Sequence, residues 1–308
     1  MNQDTTLLSD TIRTLSDISS YGNLYHSHKD GEPLPSVAML QQIVTLVREI
    51  IFPGYYGTPV VNSITIQHHI GVKIETLQSL LVEQILAGLC YRNSSCEKCQ
   101  CNESNRNLSR EKALQFIAYL PELRRVMSTD VIAAYNGDPA AESYEEIIFC
   151  YPAIRAICNY RIAHHLLTLG VPLIPRIITE LAHSETGIDI HPGASIGEYF
   201  TIDHGTGVVI GQTAIIGNNV KLYQGVTLGA KSFPLDEQGN PIKGIMRHPI
   251  LEDNVVIYSN ATILGRITIG EGASIGGNIW VTKDVPKGAK VVQNRSKEVA
   301  VITDSNND

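Results

Sequence analysis

The chain has 308 residues, enough for two domains, and a formal net charge of −7. That acidity gives no support to a general nucleic-acid role, and 43% hydrophobic with 18% charged residues describes an ordinary globular protein. No apolar run is long enough to suggest a membrane span, and residues 1–20 are polar with no apolar core suited to a signal peptide, so a cytoplasmic protein is the default.

Residues 1–186 read as an all-helical domain. Val37 to Ile51 carries apolar residues at helical spacing and is stopped by Pro53 and Gly54. Val72 to Leu89 repeats the pattern. Ser109 is placed to cap a helix through Ala113, Phe116 and Ile117, which Pro121 ends or bends, and a further stretch runs from Leu123 to Tyr135. Asn136-Gly137-Asp138-Pro139 is a turn signal. Ser143-Tyr144-Glu145-Glu146 has the form of a capping box, and helices are expected from Pro152 to about Leu169 and from Pro175 to about Ser184. Within this half, residues 90–108 stand apart as a polar, cysteine-rich loop. Cys90, Cys96, Cys99 and Cys101 are close enough to hold a metal, or to be free thiols or one redox-labile pair. Cys150 and Cys158 are expected to be buried small hydrophobes.

From Ile190 the pattern changes. Stepping by six gives Ile190, Ile196, Ile202, Val208, Ala214, Val220 and Val226, and after an interruption Leu251, Ile257, Ile263, Ile269, Ile275 and Val281. A period of six suits neither a helix nor a flat strand. It suits a flat-sided coil in which each hexad is a short strand plus a corner, and three hexads close one 18-residue turn. The repeat resembles the hexapeptide motif of the left-handed parallel β-helix, found mostly in acyltransferases. The fold class is therefore α+β: a helical domain, a left-handed parallel β-helix over residues 187–290 with one extruded loop, and a tail at 291–308. The loop lies between Val226 and Leu251, where roughly a dozen residues must leave the coil, and it ends in Arg247-His248-Pro249.

Asp189-Ile190-His191-Pro192, Asp203-His204-Gly205-Thr206-Gly207 and Arg247-His248-Pro249, with Gly137-Asp138-Pro139-Ala140 upstream, together resemble serine O-acetyltransferase over about residues 125–285. The resemblance implies acetyl transfer from acetyl-CoA to the hydroxyl of L-serine, the first step of cysteine biosynthesis, with no metal required. It also implies a trimer, or a dimer of trimers, with sites between neighbouring subunits. A neutral imidazole suits removal of the hydroxyl proton, and His204 is the candidate base. Asp189 is the candidate for orienting that base. Coils of 18 residues put hexads 184–189 and 202–207 on one face, about 4.8 Å apart. Asp138 and Asp203 are implied to pair with the serine ammonium and Arg247 with its carboxylate, in a bidentate fork. His248 is placed near the reacting hydroxyl. Gly229, Ala230, Ser259 and Gly277 are candidates for acetyl-CoA contacts, and His191 reads as a structural corner residue.

Two alternatives stay open: a different hydroxylated acceptor, or a γ-type carbonic anhydrase-like zinc enzyme using His191, His204 and His248. Many members of the family end in an isoleucine that enters O-acetylserine sulfhydrylase. This chain ends in Asp308, so that complex is not expected.

Overall fold

The structure, a computed structural model, describes residues 3–17, 19, 33–57, 62, 64–92 and 102–293. Helices fill its first half: α1 (Gln3–Ser16), α2 (Val37–Ile51), α3 (Ile66–Arg92), α4 (Glu103–Gly137), α5 (Tyr144–Cys150), α6 (Pro152–Thr168) and α7 (Ile174–Thr186). The Ser36 side chain caps α2 by accepting the Met39 N–H. Ser143 caps α5 through the Glu146 N–H at 3.1 Å, while the Glu146 carboxylate accepts from the Glu142 N–H rather than from the cap residue.

α4 departs from expectation. Asn102, not Ser109, is its N-cap, and one 35-residue helix continues past Pro121. Proline removes a donor from the helix ladder. Here Phe116, Leu120, Leu123 and Met127, buried on both sides of it, hold the two halves as one element. Residues 103–108, expected in the cysteine-rich loop, are the first turns of α4. Cys90 is buried near the end of α3, and Cys96, Cys99 and Cys101 lie outside the described residues. Cys158 is buried as expected, but Cys150 is exposed, because α5 ends there with its apolar face spent on Ile147 and Ile148.

The second half is a left-handed parallel β-helix. Its first sheet stacks β1 (Asp189–Ile190), β4 (Val209–Ile210), β7 (Thr227–Gly229), β10 (Thr262–Leu264) and β13 (Trp280–Val281). The second stacks β2 (Ser195–Ile196), β5 (Ile215–Ile216), β8 (Ile250–Leu251) and β11 (Thr268–Ile269). The third stacks β3 (Thr201–Asp203), β6 (Lys221–Tyr223), β9 (Val256–Ile257), β12 (Ser274–Ile275) and β14 (Lys290–Val291). Ile190, Ile202, Ile210, Leu222, Leu228, Ile257 and Ile263 point inward and are buried, forming the aliphatic column.

The register corrects the repeat count. β4 pairs with β7 at a spacing of 18 residues, Val209 opposite Thr227, as a regular coil requires. β1 pairs with β4 at a spacing of 20, Asp189 opposite Val209, and β3 with β6 likewise, Thr201 opposite Lys221. Two extra residues therefore sit at the corner between β3 and β4, within Asp203-His204-Gly205-Thr206-Gly207. The sequence period ran on unbroken because Val208, Ala214, Val220 and Val226 are also inward-facing and buried. They form a second inward set, two residues out of phase with Ile202. The expected loop was also too short, because one hexad step and not two separates β7 from β8. Thr227 pairs with Thr262 at a spacing of 35 and Thr262 with Trp280 at 18, so 17 residues leave the coil, not a dozen.

The helices grip the first turn of the coil. Arg161 of α6 and Asp130 of α4 form a buried ion pair at 2.6 Å, 6% and 0% exposed. Asp130 also accepts the Phe200 N–H at 3.0 Å, and Arg161 donates to the Gly197 carbonyl at 2.8 Å. Tyr160 donates to the Ala194 carbonyl, and the Thr129 hydroxyl accepts the Tyr199 N–H. These contacts fix the backbone just before β3, the strand that ends in Asp203.

Candidate active site

The two-residue insertion makes the corner that carries His204. His204 has φ +58°, and Gly205 and Gly207 follow at +100° and +81°. Tyr199, Asn219, Asn254, Asn260 and Asn278 take the same left-handed conformation, so this φ marks a corner of the coil. At Gly205 a side chain would also collide: a Cβ would lie 2.5 Å from Ile188 Cδ1. The corner thus turns outward, and the His204 side chain is 72% exposed while Asp203 beside it is 13% exposed.

An open cavity of about 290 Å³ lies against this corner, lined by Asp138, Tyr151, Ile202, Asp203 and His204 with Cys150 at its wall. Asp138 comes from the C-cap of α4. Its carboxylate accepts from the Tyr151 hydroxyl at 2.5 Å and from the Ala140 N–H at 2.8 Å. The Tyr151 hydrogen bond, then that of Ala140, holds the Asp138 carboxyl below the usual range, so it is an anion at neutral pH. Asp203 is ion-paired to Lys221 at 2.9 Å and lies 3.7 Å from His204 Nε2. Lys221 also donates to the Gly137 carbonyl at 2.6 Å, which ties the Asp203 carboxylate to the backbone just before Asp138. Two carboxylates and an imidazole therefore face one cavity, with neighbours that set their positions.

Tyr151 and Lys221 were not foreseen. No spacing rule connects Tyr151 to Asp138. Lys221 was legible in principle: once the two extra residues are counted, it falls one turn below Thr201 on the face that carries Asp203. With the two substrates that the resemblance implies, replacing Tyr151 by phenylalanine is expected to raise the serine KM about tenfold and leave the acetyl-CoA KM unchanged, since a hydrogen bond to a charged group is worth ~1.5–3 kcal/mol. Steady-state kinetics with each substrate varied checks this, and equal effects on both would remove Tyr151 from the acceptor site.

The other expected site residues do not line this cavity. The register places Asp189 opposite Val209 on the first sheet, which overturns the stacking of hexads 184–189 and 202–207. The Asp189 carboxylate lies 3.8 Å from the Arg176 guanidinium. Arg247 and His248 sit where the extruded loop rejoins the coil, at the edge between the first and second sheets. Arg247 donates to the Gln212 side chain at 3.1 Å, and His248 contacts Thr213. His204 stands at a different edge, between the third and first sheets. The acetyl-CoA candidates divide in the same way: Ser259 and Gly277 follow β9 and β12 on the His204 edge, and Gly229 and Ala230 follow the core of β7 on the Arg247 edge.

His191 is structural, as expected: its Nδ1 accepts the Gly193 N–H at 2.9 Å. Burial, then the charge of Arg176, pushes this ring down to about 4. Among the described residues, the histidine, cysteine and carboxylate groups whose ligand atoms converge within 4.8 Å are Glu180, His183 and Asp189. Arg176 already pairs with Glu180 in that group. No such group contains His191, His204 or His248.

No family model matches the chain. A serine acetyltransferase of Synechococcus elongatus, described as plasmid-borne, is 50% identical over 262 residues, covering 85% of this chain and 82% of that one. The chain belongs to the serine acetyltransferase family. It is an acyltransferase whose acceptor is serine, and the zinc-enzyme alternative is not favoured. The family's solved structures agree. The Entamoeba histolytica serine acetyltransferase 1, crystallised in complex with L-cysteine, superposes with a TM-score of 0.70 at 34% identity, covering 92% of this chain and 94% of that one. Soybean serine acetyltransferase complexed with serine gives 0.54 at 29% identity, over 85% and 99%. Among the described residues, no helix is long and apolar enough to cross a membrane.

Proposed function

We propose that this family member transfers the acetyl group of acetyl-CoA to the hydroxyl of L-serine at the cavity beside His204, in a site completed by a neighbouring copy of the chain. The observation that carries this is the convergence of Asp138, Asp203 and His204 on one cavity while Arg247 and His248 occupy the next edge of the coil. Asp138 and Asp203 offer two carboxylates to the serine ammonium. His204, exposed at its corner, takes the hydroxyl proton, and Asp189 remains the candidate to orient it. Arg247 supplies the fork for the serine carboxylate. The two edges are separated by one face of the coil, about six residues wide or roughly 20 Å at ~3.3 Å per residue. Serine is far too short to bridge that. A cyclic trimer, in which the His204 edge of one copy meets the Arg247 edge of the next, joins the two half-sites. It also brings Ser259 and Gly277 opposite Gly229 and Ala230 along one groove for acetyl-CoA.

The first test is release of CoA from acetyl-CoA by the purified chain, with L-serine set against a panel of amino acids and sugars. Thiol release with L-serine alone is expected, and activity confined to another acceptor would overturn the roles of Asp138, Asp203 and Arg247. A mixing experiment tests the shared site. The His204→Ala and Arg247→Ala variants are each expected to be nearly inactive. Co-refolded in equal amounts, they should recover about one quarter of wild-type activity, because about one interface in four then holds both intact residues. No recovery would place both half-sites in a single copy.

A further inference from the structure

The ring of His248 is 6% exposed, and its edge packs on Gly211 so closely that a Cβ there would lie 2.1 Å from Nε2. The other ring nitrogen is engaged by a single residue. Nδ1 receives the Thr213 backbone N–H at 3.1 Å and stands 2.8 Å from the Thr213 hydroxyl. A backbone N–H only donates, so Nδ1 presents its lone pair. The hydroxyl accepts the N–H of Arg247 at 2.9 Å and the N–H of His248 at 3.1 Å. Both its lone pairs are then filled, and its own hydrogen points at Nδ1. A neutral imidazole carries one proton, and here it has only Nε2 to occupy.

The charged groups around the ring act in the same direction. Arg266 donates to the His248 carbonyl at 3.0 Å, and Arg247 adjoins it in the chain. Burial first, then these two guanidinium groups, pushes the ring down to about 4. His191, the other titratable ring that senses His248, is itself held low. His248 is therefore neutral wherever the enzyme works. Among the described residues, its Nε2 makes no hydrogen bond.

We infer that Thr213 is a positioning residue that locks His248 as a neutral Nε2–H donor, so that His248 stabilises the acetyl oxygen during transfer and never takes the serine proton. This rests on the acetyl transfer proposed above. The two histidines then have separate tasks. As serine Oγ bonds to the acetyl carbon, the carbonyl π pair moves onto oxygen, the hydroxyl proton passes to His204, and the oxyanion accepts a hydrogen bond from His248 Nε2–H. As the carbonyl re-forms, the C–S bond breaks, and the sulfur of CoA receives the proton from His204. His248 ends each cycle as it began.

The test exploits geometry. A glutamine at 248 places its amide nitrogen near the position of Nε2, whereas an asparagine reaches only the position of Nδ1. His248→Asn and His248→Ala are expected to lose about 10²-fold or more in kcat, as loss of an oxyanion donor does. His248→Gln should remain within about tenfold of wild type, with the serine KM little changed in all three. Thr213→Val, which also leaves the Arg247 and His248 N–H groups without their acceptor, should lose at least about tenfold in kcat, and Thr213→Ser should restore it. In ¹⁵N-histidine spectra of the wild-type chain, His248 should show a bare Nδ1 and a protonated Nε2 down to pH 5. A glutamine variant as inactive as the alanine one, a protonated Nδ1 at pH 7, or a serine KM that rises while kcat holds would each overturn the inference. If the wild type transfers no acetyl group to serine, the reaction itself is wrong and the donor role falls with it. The spectra would still decide whether Thr213 fixes the tautomer.

Discussion

The His204→Ala variant is expected to lose about 10²–10⁴-fold in kcat, the range that a positioned general base supplies, with its melting temperature close to that of the wild type. The side chain is 72% exposed and contributes nothing to the aliphatic column, so its removal leaves the coil intact. The one structural cost is conformational. Position 204 holds φ +58°, where any Cβ is strained by ~1–2 kcal/mol, so alanine adds little to what histidine already carries. The His204→Asn variant controls for this, since asparagine tolerates that region and offers no base. Both variants should show the same loss of turnover by CoA release. If the asparagine variant kept near-wild-type turnover, the imidazole would not be the base.

Removing one partner of the Asp130–Arg161 pair is expected to have the largest effect on stability. Both groups are buried, at 0% and 6% exposure, and Asp130→Ala leaves the Arg161 guanidinium without its counter-charge. The expected cost is ~3–5 kcal/mol. For a protein of this size that is a drop of roughly 5–15 °C in melting temperature. The double variant Asp130→Leu with Arg161→Met should recover much of the loss, because well-packed apolar groups replace such pairs at little cost. Thermal denaturation of the three chains decides it. A single variant as stable as the wild type would show that the pair does not hold the helices to the coil.

The sequence made the coil legible because an inward aliphatic column leaves a periodic trace. It did not show where the period slipped, since either of two inward positions satisfies the same hydrophobic rule. Of the residues that resemble the family's motifs, the structure puts Asp138, Asp203 and His204 on one cavity. Tyr151 and Thr213 were invisible for a common reason: each acts by a hydrogen bond across separate elements, and no local pattern encodes such a contact, whereas Lys221 was hidden by the two-residue slip. The continuation of α4 past Pro121 was missed for the opposite reason, a strong local signal overridden by packing on both sides. Cys150 was misplaced because it closes a short helix whose buried face had already ended.

The corners of the coil have an evolutionary consequence. The parallel ladder resumes its 18-residue spacing after two extra residues at one corner and after 17 at another. Lengthening a corner costs little, since each doubling of a flexible loop adds only ~0.6 kcal/mol of closure entropy. The scaffold is thus buffered against insertion at the places where its chemistry resides. New acceptors can be sampled by changing the length of a corner, while the inherited strands keep the rest of the coil in register.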